Sequence, residues 1–449
     1  PLLYALYWLI GKVFGFWNIH GPHLVAIAAT LLICWIIDKT VRQRFENVPK
    51  GFAAFLYAVI SATFSREFIS SNSELYLLIP LSLGFLSLAI AKEKESTVLF
   101  WFFAFMGAAL SSFFKQTGII VLMASASAAC VYVLYHRSPL AVLRIFLGCF
   151  LGGLLATLLC LWPFWASGTL SDMIHWSVTD NFTYVKDASH IKTSRPIFSP
   201  FFISLAVWPL FWAASLYFIY ISRRQIWTWI LAGGLLGGLA FVSVGGRLYS
   251  HYFVPLSFVL VLTSASTLYS WLLKRPRLVM VGILVPFLVC FALVTFRDSF
   301  APYLKTSFPD TMIQRITRAS DYIKQNSTDH DRIAVWGMAS QFYVLSERGS
   351  GTRFIPADYA SGRLAGFASG TKVISAANMK SYLDDIRTKQ PLYFVDTSSA
   401  NLNDYGNFPI QDYPDLQQLL SLSYEKITNV EGFDLWRRRS TANVEERAP

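Results

Sequence analysis

Residues 145–166 read IFLGCFLGGLLATLLCLWPFWA and contain no charged side chain. A helix needs about 20 apolar residues to cross the hydrocarbon core of a bilayer. In that core, only helices or closed barrels satisfy their own backbone hydrogen bonds. Residues 196–221 form a second such run, and hydrophobic residues make up 54% of the chain against 14% for charged ones. This composition predicts a polytopic α-helical membrane protein.

About ten membrane spans follow from the same criterion. In chain order they cover residues 25–37, 52–64, 75–90, 98–114, 118–134, 145–165, 196–221, 226–244, 252–273 and 279–296. Basic side chains follow every second span, for example Lys39, Arg42 and Arg44 after the first. Because cytoplasmic loops carry an excess of Lys and Arg, these loops are placed inside. The loops around residues 70, 115, 180 and 247, together with the tail from residue 297, are placed outside.

The first 17 residues form a separate apolar stretch that contains Trp8 and Trp17. We predict an interfacial helix here, with both indoles at headgroup depth, instead of a further span. The alternation of basic loops places Pro1 outside the cytoplasm. At least one amino-terminal helix, and the loop after it, are therefore expected to precede this residue.

The formal net charge of +11 is concentrated in the predicted cytoplasmic loops, where it contacts anionic lipid headgroups. No basic stripe with interleaved aromatic residues is present, so the membrane is the predicted partner and nucleic acid is not. All five cysteines fall within predicted spans, namely Cys34, Cys130, Cys149, Cys160 and Cys290. Neither a disulfide nor a cysteine metal cluster is therefore expected in the tail.

The tail becomes polar from about residue 308. Its patterns predict helices at 310–325, around 341–346 and before Pro391, strands at 332–337 and 392–396, and a hairpin of 424–428 with 433–437. Alternating helices and apolar strands are typical of a small α/β domain. We divide the chain into a transmembrane domain, residues 1–300, and an extracytoplasmic α/β domain, residues 301–449. A structural or binding role is expected for the latter.

Two polar positions interrupt apolar sequence on the predicted outer side. Glu74 stands where a loop enters the third span, and an acid at this depth is costly without a partner. Alternatively, Glu74 is a helix-start residue favoured by the helix dipole, with Asn72 or Ser73 as N-cap. Lys115 and Gln116 separate the fourth and fifth spans. Lys115 either snorkels to the interface or neutralises a phosphate there.

A third polar cluster lies between the eighth and ninth spans, where two glycines precede Arg247, Tyr249, His251 and Tyr252. Glycines permit close approach of a ligand, and Arg binds phosphate with two parallel hydrogen bonds. Tyrosines also occur at this depth in ordinary aromatic belts, so Arg247 and His251 are the stronger candidates for binding.

The predicted outer loop of residues 168–196 is long enough to be a functional lid, although an ordinary solvated loop is the alternative. His175, Asp180 and Tyr184 are its candidate binding residues. No Asp, Glu and His side chains recur at metal-ligand spacing, so we predict no metal or other cofactor.

Several short stretches resemble one family in their order along the chain. Pro1-Leu2-Leu3-Tyr4 resembles the end of the K-P-P-L-x-Y stretch that follows the first outer loop of C-type (GT-C) glycosyltransferases. These include the bacterial relatives of protein O-mannosyltransferases and of the lipid A aminoarabinose transferase. Further similar stretches are Asn72-Ser73-Glu74, Phe114-Lys115-Gln116, residues 246–253, 333–337 and 351–354.

The resemblance implies a GT-C fold in a bacterial inner membrane, with a periplasmic tail. It implies inverting transfer of a sugar from a polyprenyl-phosphate donor to a lipid, glycan or protein acceptor. Some relatives need a divalent metal and others do not. Lys115 and Arg247 would bind the donor phosphate, and the sugar-site candidates are Glu74, Gln116, Tyr249, His251 and Tyr252. The loop of residues 168–196 would face the acceptor.

The family's catalytic acid lies in the first outer loop, which is expected before Pro1, so residues 1–449 alone are expected to be inactive. Two other functions stay open. One is a transporter or flippase, for which the sequence gives neither internal repeats nor interrupted helices. The other is a membrane-anchored scaffold with a binding tail.

Overall fold

A computed structural model describes residues 1–64, 71–91, 97–179, 199–244, 249–295, 312–363 and 370–439. The chain forms two compact units that divide near residue 305. The first unit is helical and contains the apolar runs. The second is a small α/β unit.

The helices of the first unit follow the predicted apolar runs. They are α1 (Leu2–Phe14), α2 (His20–Arg44), α3 (Phe52–Phe64), α4 (Ser73–Ile90), α5 (Val98–Phe114), α6 (Ile120–His136), α7 (Pro139–Ala166), α8 (Leu170–Ile174), α9 (Ser199–Val207), α10 (Pro209–Ile221), α11 (Ile226–Val244), α12 (Val254–Lys274) and α13 (Pro276–Thr295). Short 3-10 turns, Gln116–Ile119 and Ser250–Phe253, precede α6 and α12, and a π-helical turn, His175–Thr179, follows α8.

Within the described residues, six helices are long and apolar enough to cross a membrane, or seven if the bent pair α9–α10 is one span. Four shorter apolar helices accompany them, Leu2–Phe14, Phe52–Ala62, Val98–Phe114 and Pro276–Val289. Each predicted span falls on one of these helices or on the bent pair. The structure therefore confirms a polytopic helical membrane protein.

The seventh span is not the uninterrupted helix that its apolar sequence suggests. α9 and α10 meet at Trp208 with a bend of 109°. Pro209 causes the break, because proline has no backbone N–H and its ring clashes with the carbonyl one turn earlier. The Trp208 N–H still closes the last turn of α9 on the Ser204 carbonyl at 2.8 Å, and Pro209 then starts α10 as its first residue. The expectation of no interrupted helix is thus wrong here.

Helices α4 and α5 are antiparallel and pack backbone to backbone. A side chain on Gly107 would overlap the Pro80 carbonyl oxygen, and a Cβ on Gly84 would lie 2.9 Å from the Ala104 carbonyl oxygen. The Ser111 hydroxyl donates to the Leu77 carbonyl at 3.0 Å. Small residues permit such close approach in membrane bundles. This packing brings the first turn of α4 beside the last turn of α5.

The second unit has five strands and five α-helices in the described residues. They are α14 (Met312–Gln325), β1 (Arg332–Trp336), α15 (Gln341–Ser346), β2 (Gly349–Ser350), α16 (Asp358–Ser361), α17 (Ala376–Lys389), β3 (Tyr393–Asp396), α18 (Pro414–Ser423), β4 (Tyr424–Val430) and β5 (Phe433–Arg438). The sheet order is β2-β1-β3-β5-β4. β1 is parallel to β2 and β3, and β5 is antiparallel to β3 and β4.

The predicted elements of the tail are confirmed within a few residues, and three strands or α-helices were not predicted. Ile316, Ala319 and Ile323 form the buried face of α14, as their spacing predicts. Glu431 and Gly432 turn the terminal hairpin with positive φ angles of 57° and 89°. Strand β2 and helix α16 give no sequence pattern because they have only two and four residues. Helix α18 starts at Pro414, a residue that is as typical of a turn as of a helix start.

Candidate functional site

Glu74 lies in the first turn of α4, and only 2% of it is exposed. The Asn72 side chain caps this helix by accepting a hydrogen bond from the Leu75 N–H at 2.8 Å. The Ser73 hydroxyl donates to Glu74 Oε2 at 2.7 Å. A helix start attracts a negative charge, so the structural interpretation of Glu74 holds in part. The other carboxylate oxygen faces different partners.

Lys115 supplies the partner of that second oxygen. It ends α5 with an extended backbone, and the chain then re-enters a 3-10 turn in which the Gly118 N–H donates to the Lys115 carbonyl at 2.8 Å. The Lys115 ammonium donates to Glu74 Oε1. The Lys115 Nζ also lies 3.6 Å from the centre of the Tyr252 ring and 5.5 Å from that of Phe241. Lys115 is therefore enclosed by a carboxylate and two aromatic rings, not extended along lipid.

His251 approaches the same carboxylate from the 3-10 turn before α12. Its Nε2 lies 3.9 Å from Glu74 Oε1. The His251 ring stacks on Tyr249, with centroids 5.5 Å apart and planes within 17°, and meets the Tyr252 ring edge-on at 4.8 Å. The two tyrosines thus fix the orientation of the imidazole. A proton on His251 would add a second positive charge near Glu74.

Gln116 connects this cluster to the first part of the predicted outer loop. Its side-chain amide donates to the Ser177 carbonyl at 2.8 Å. Ser177 belongs to the π-helical turn that starts at His175. His175, one of the predicted acceptor-loop residues, therefore lies on a segment that is hydrogen-bonded to the cluster. Asp180, Tyr184 and Arg247 lie outside the described residues.

The structure brings together five of the predicted residues: Glu74, Lys115, Tyr249, His251 and Tyr252. It adds some that the sequence did not single out. The Tyr7 hydroxyl donates to the Ser71 carbonyl at 2.8 Å, and the Ser71 and Tyr76 hydroxyls are 2.8 Å apart. Tyr76 follows Glu74 closely in sequence, but no local pattern links Tyr7 or Phe241 to this site. Both are recruited by helix packing alone.

An apolar groove of about 470 Å³ begins beside the cluster. Tyr76, two residues after Glu74, and Phe114, which precedes Lys115, line one part of it. The rest is lined by Leu2, Leu6, Val25, Ala28, Ala29, Leu32, Ile79, Pro80, Leu83 and Leu110. The groove is therefore bounded by α1, α2, α4 and α5, and its walls are almost wholly hydrocarbon and aromatic.

Basic residues gather at the opposite end of the bundle. The Arg44 guanidinium donates to the Leu88 carbonyl at 2.8 Å, and Leu88 lies roughly 20 Å along α4 from Glu74 at 1.5 Å per residue. The Tyr132 hydroxyl near the end of α6 donates to the Arg224 carbonyl. Arg44 also lies over the Trp227 ring at 4.7 Å. Loops far apart in sequence therefore share this end, as their charge predicts.

No group of three or more His, Cys, Asp or Glu side chains is arranged to hold a metal ion in the parts of the chain that the structure describes. The cluster around Glu74 contains one carboxylate, one imidazole and one ammonium. This donor set suits an anionic ligand better than a cation, because an ammonium cannot coordinate a metal.

No protein-family model matches the chain. No curated protein matches it either. Two solved structures of ArnT from Cupriavidus metallidurans share its fold at 13% identity, with 88% of that chain covered. The apo structure covers 100% of this chain with a TM-score of 0.57, and the structure bound to undecaprenyl phosphate covers 98% with a TM-score of 0.58.

An oligosaccharyltransferase from Archaeoglobus fulgidus is also similar, at 12% identity and a TM-score of 0.48 over 98% of this chain. The chain spans 64% of that protein's length. The likeness to ArnT extends over nearly the whole chain. It confirms an ArnT-like fold, which agrees with the fold that the sequence resemblance implies.

Proposed function

We propose that the chain belongs to a membrane glycosyltransferase that moves a sugar from a polyprenyl-phosphate carrier to an acceptor outside the cytoplasm, with inversion. The observation that carries this proposal is the pairing of Lys115 with buried Glu74 beside Tyr252. This pair lies at the end of the bundle away from the basic loops. The ArnT-like fold supports the same class of reaction.

Lys115 would bind the donor phosphate. An ammonium has three N–H donors, and one of them points to Glu74. The remaining donors are available to an incoming phosphate, because 21% of the Lys115 side chain is exposed. Phosphate is the leaving group, so negative charge grows on it as the glycosidic bond breaks, and a cation placed in advance stabilises that charge. Arg247 is the second cation in this assignment, on sequence grounds.

Glu74 would hold Lys115 in position. Without a partner, an ammonium at this depth would be costly, yet the Lys115–Glu74 pair carries little net charge by itself. His251, when protonated, and Arg247 would supply the additional positive charge. Tyr249, Tyr252 and Gln116 would then contact the sugar, which the aromatic faces and the amide are suited to bind.

The apolar groove beside the cluster supports a lipid-linked donor. Its walls continue from Tyr76 and Phe114, so a carrier with its phosphate at Lys115 could lay its prenyl chain along α2 and α4. A prenyl chain in the bilayer is already removed from water, so the groove would bind it through van der Waals packing and not through the hydrophobic effect. The ArnT structure bound to undecaprenyl phosphate has a lipid of this kind.

We place the acceptor side at the loop that Gln116 contacts through Ser177. His175, Asp180 and Tyr184 are the candidate residues there. The second unit would lie outside the cytoplasm, in the periplasm of a bacterial inner membrane, because one further span follows the basic loop at Lys274 and Arg275 before the tail begins. An alkaline phosphatase fusion at the carboxyl terminus should be active, and an inactive fusion would contradict this orientation.

A second function, translocation of a lipid-linked glycan, is favoured by the broken helix pair α9–α10, since interrupted helices are typical of transporters. The break would also have a structural role. It places Trp208 between the two helices, where its ring lies 6.5 Å from that of Phe253, and Phe253 belongs to the 3-10 turn that carries His251. Transport of a fluorescent polyprenyl lipid by vesicles without any acceptor would favour the second function.

The test is a transfer assay with the full-length protein in vesicles that contain a polyprenyl-phosphate sugar. Lys115→Ala should lower the rate by about 10–100-fold, since a charge-assisted contact to phosphate contributes about 1.5–3 kcal/mol. Arg42→Ala, which removes a cation at the other end of the bundle, should stay within about two-fold of the wild type. Equal rates for Lys115→Ala and the wild type would exclude this donor site.

A further inference from the structure

The sheet of the second unit has a topological switch point. β1 lies in the middle of three parallel strands, with β2 on one side and β3 on the other. The connections that leave β1 and β2 therefore run in opposite directions across the sheet. In open α/β sheets, ligands bind in the crevice outside the carboxyl ends of the strands at such a point. Here the crevice lies beyond Trp336 and Asp396.

The carboxyl end of β1 is built with little room between the strands. A side chain on Gly337 would overlap the Thr397 hydroxyl, which donates to the Trp336 carbonyl at 2.9 Å. The Ala357 N–H donates to the Gly337 carbonyl at 3.2 Å, and this contact sets α16 against the strand end. Met338 follows directly and is 40% exposed.

Arg363 reaches this edge from the segment after α16. Its Nη1 lies 3.3 Å from Met338 Sδ and 3.3 Å from Asp358 Oδ2. Asp358 is held in turn by the Tyr405 hydroxyl, which donates to Oδ1 at 2.7 Å. Only 17% of the Arg363 side chain is exposed. The guanidinium is therefore fixed in place beside the crevice.

Other arginines of the same unit show how a structural guanidinium is satisfied. Arg348 donates from all three nitrogens to Ser327, Lys324 and Glu347. Arg353 makes two parallel bonds to Asp385, at 2.9 and 2.8 Å. Within the described part of the chain, the Arg363 guanidinium donates only from Nη1, over longer distances and in part to a thioether, which is a weak acceptor. Most of its donor capacity is left for a ligand.

Exposed polar groups border the same edge on the side of β3. Asn403 donates from its amide to the Met338 carbonyl at 2.8 Å, which leaves its amide oxygen. Asn403 and Asp404 both have positive φ angles, 52° and 67°, and both are exposed. Amide and carboxylate oxygens accept hydrogen bonds from hydroxyl groups, and the Met338 thioether offers an apolar face.

We propose that this edge of the second unit binds an anionic saccharide, with its phosphate or carboxylate on Arg363 and its hydroxyls on Asn403 and Asp404. A guanidinium binds either oxyanion through parallel N–H donors. Binding at this site does not require the proposed transfer reaction. It gives the second unit a ligand site of its own.

The test measures binding by the full-length protein in detergent, with glucose 6-phosphate and glucuronate as anionic probes and glucose as the neutral probe. Both anionic probes should bind at least about 10-fold more tightly than glucose, because only they engage the guanidinium. Arg363→Gln should remove that preference. Arg387→Gln, which changes an exposed arginine of α17, should retain it.

Asn403→Asp is a second variant that keeps Arg363 and adds a negative charge beside it. It should weaken both anionic probes and spare glucose. Unchanged binding in Arg363→Gln would overturn the site, and inorganic phosphate that binds as tightly as glucose 6-phosphate would overturn its saccharide specificity. Loss of binding in Lys115→Ala, with none in Arg363→Gln, would assign the probes to the donor site and overturn this proposal.

Discussion

Asp38 and Glu74 are two buried carboxylates near opposite ends of the helical unit, 5% and 2% exposed. Asp38 is satisfied locally. It accepts from Arg42 Nε at 2.9 Å, one turn along the same helix, and from the Gly51 N–H at 2.8 Å in the following loop. Glu74 instead joins Lys115 and His251, which belong to segments far away in the chain.

The difference distinguishes a structural acid, Asp38, from an acid of the proposed donor site, Glu74. Asp38 fixes the turn between α2 and α3, and its partner is an arginine, whose charge cannot be removed by deprotonation. Glu74 pairs with a lysine whose side chain is 21% exposed, and the His251 imidazole lies beside the same carboxylate. Burial alone therefore does not identify a functional carboxylate. The two carboxylates differ in where their partners lie along the chain, which is close by for Asp38 and far away for Glu74.

The largest effect on stability and on transfer is expected when the charge of Glu74 or of Lys115 is removed. Glu74→Gln and Lys115→Met each leave one buried charge without its partner, which typically costs about 3–5 kcal/mol of stability. The double variant Glu74→Gln/Lys115→Met should recover most of that stability and still lack transfer activity. Thermal unfolding in detergent and the transfer rate measure the two properties separately.

Asp38→Asn is the matched control for this pair. It keeps an acceptor for the Gly51 N–H and loses only a pair whose arginine is 37% exposed, so stability should fall by less than about 1 kcal/mol. Transfer should be unchanged. A double variant at Glu74 and Lys115 that transfers sugar at the wild-type rate would give both carboxylates the same structural role.

A smaller effect is expected from the ring over Lys115. Tyr252→Leu removes the aromatic face 3.6 Å from the ammonium, a contact of about 0.5–2 kcal/mol, so transfer should fall by about 2–30-fold. Tyr252→Phe keeps the face and should lose much less. Trp35→Leu removes the comparable contact of Lys39 at the other end of the bundle, 5.1 Å away, and should not affect transfer.

Glu74 and Lys115 could be singled out from the sequence because a charge within an apolar run is costly at any place in a bilayer. Their pairing could be expected because alternating basic loops put both residues on one side. Tyr7 and Phe241 could not be found in this way. An aromatic residue in an apolar helix gives no local sign of the helix it contacts.

The same reasoning explains what was missed elsewhere. The break at Trp208 carries a sequence signal, Pro209, but a long apolar run hid it. Arg363 has no sequence signal, since an arginine in a polar unit is ordinary until the structure shows how few hydrogen bonds its guanidinium donates to the described residues. The periodicity of apolar residues predicts α14 and β1. Which hydrogen-bond donors and acceptors meet can be known only from the folded structure.

The smallest effect concerns Asp385, which repeats the Asp38 pattern in the second unit. Burial disfavours its charge, but hydrogen bonds from the Arg353 side chain and backbone N–H, with Lys389 nearby, lower the pKa of Asp385 below its ordinary value. A carboxyl with a lowered folded-state pKa stabilises the fold above its unfolded pKa, about 3.9, and loses this contribution as pH falls through the folded value. Arg353 is 54% exposed, so water screens the pair and keeps the effect modest.

Hydrogen exchange of the Arg353 amide, which donates to Asp385 Oδ2 at 2.7 Å, is the sharpest probe of this contribution. In the wild type, its protection should decline as pH falls below about 4, relative to other amides of α17 and β1. Asp385→Asn should show lower protection at neutral pH and no such decline. Asp384→Asn changes a neighbouring exposed pair with Arg387 and should follow the wild-type curve. If protection in Asp385→Asn and in the wild type changed with pH in the same way, the Asp385 carboxylate would not contribute to stability. Hydrogen bonds from an arginine and a backbone N–H would then not be enough to identify a structural carboxylate, and the contrast between Asp38 and Glu74 would rest on Asp38 alone.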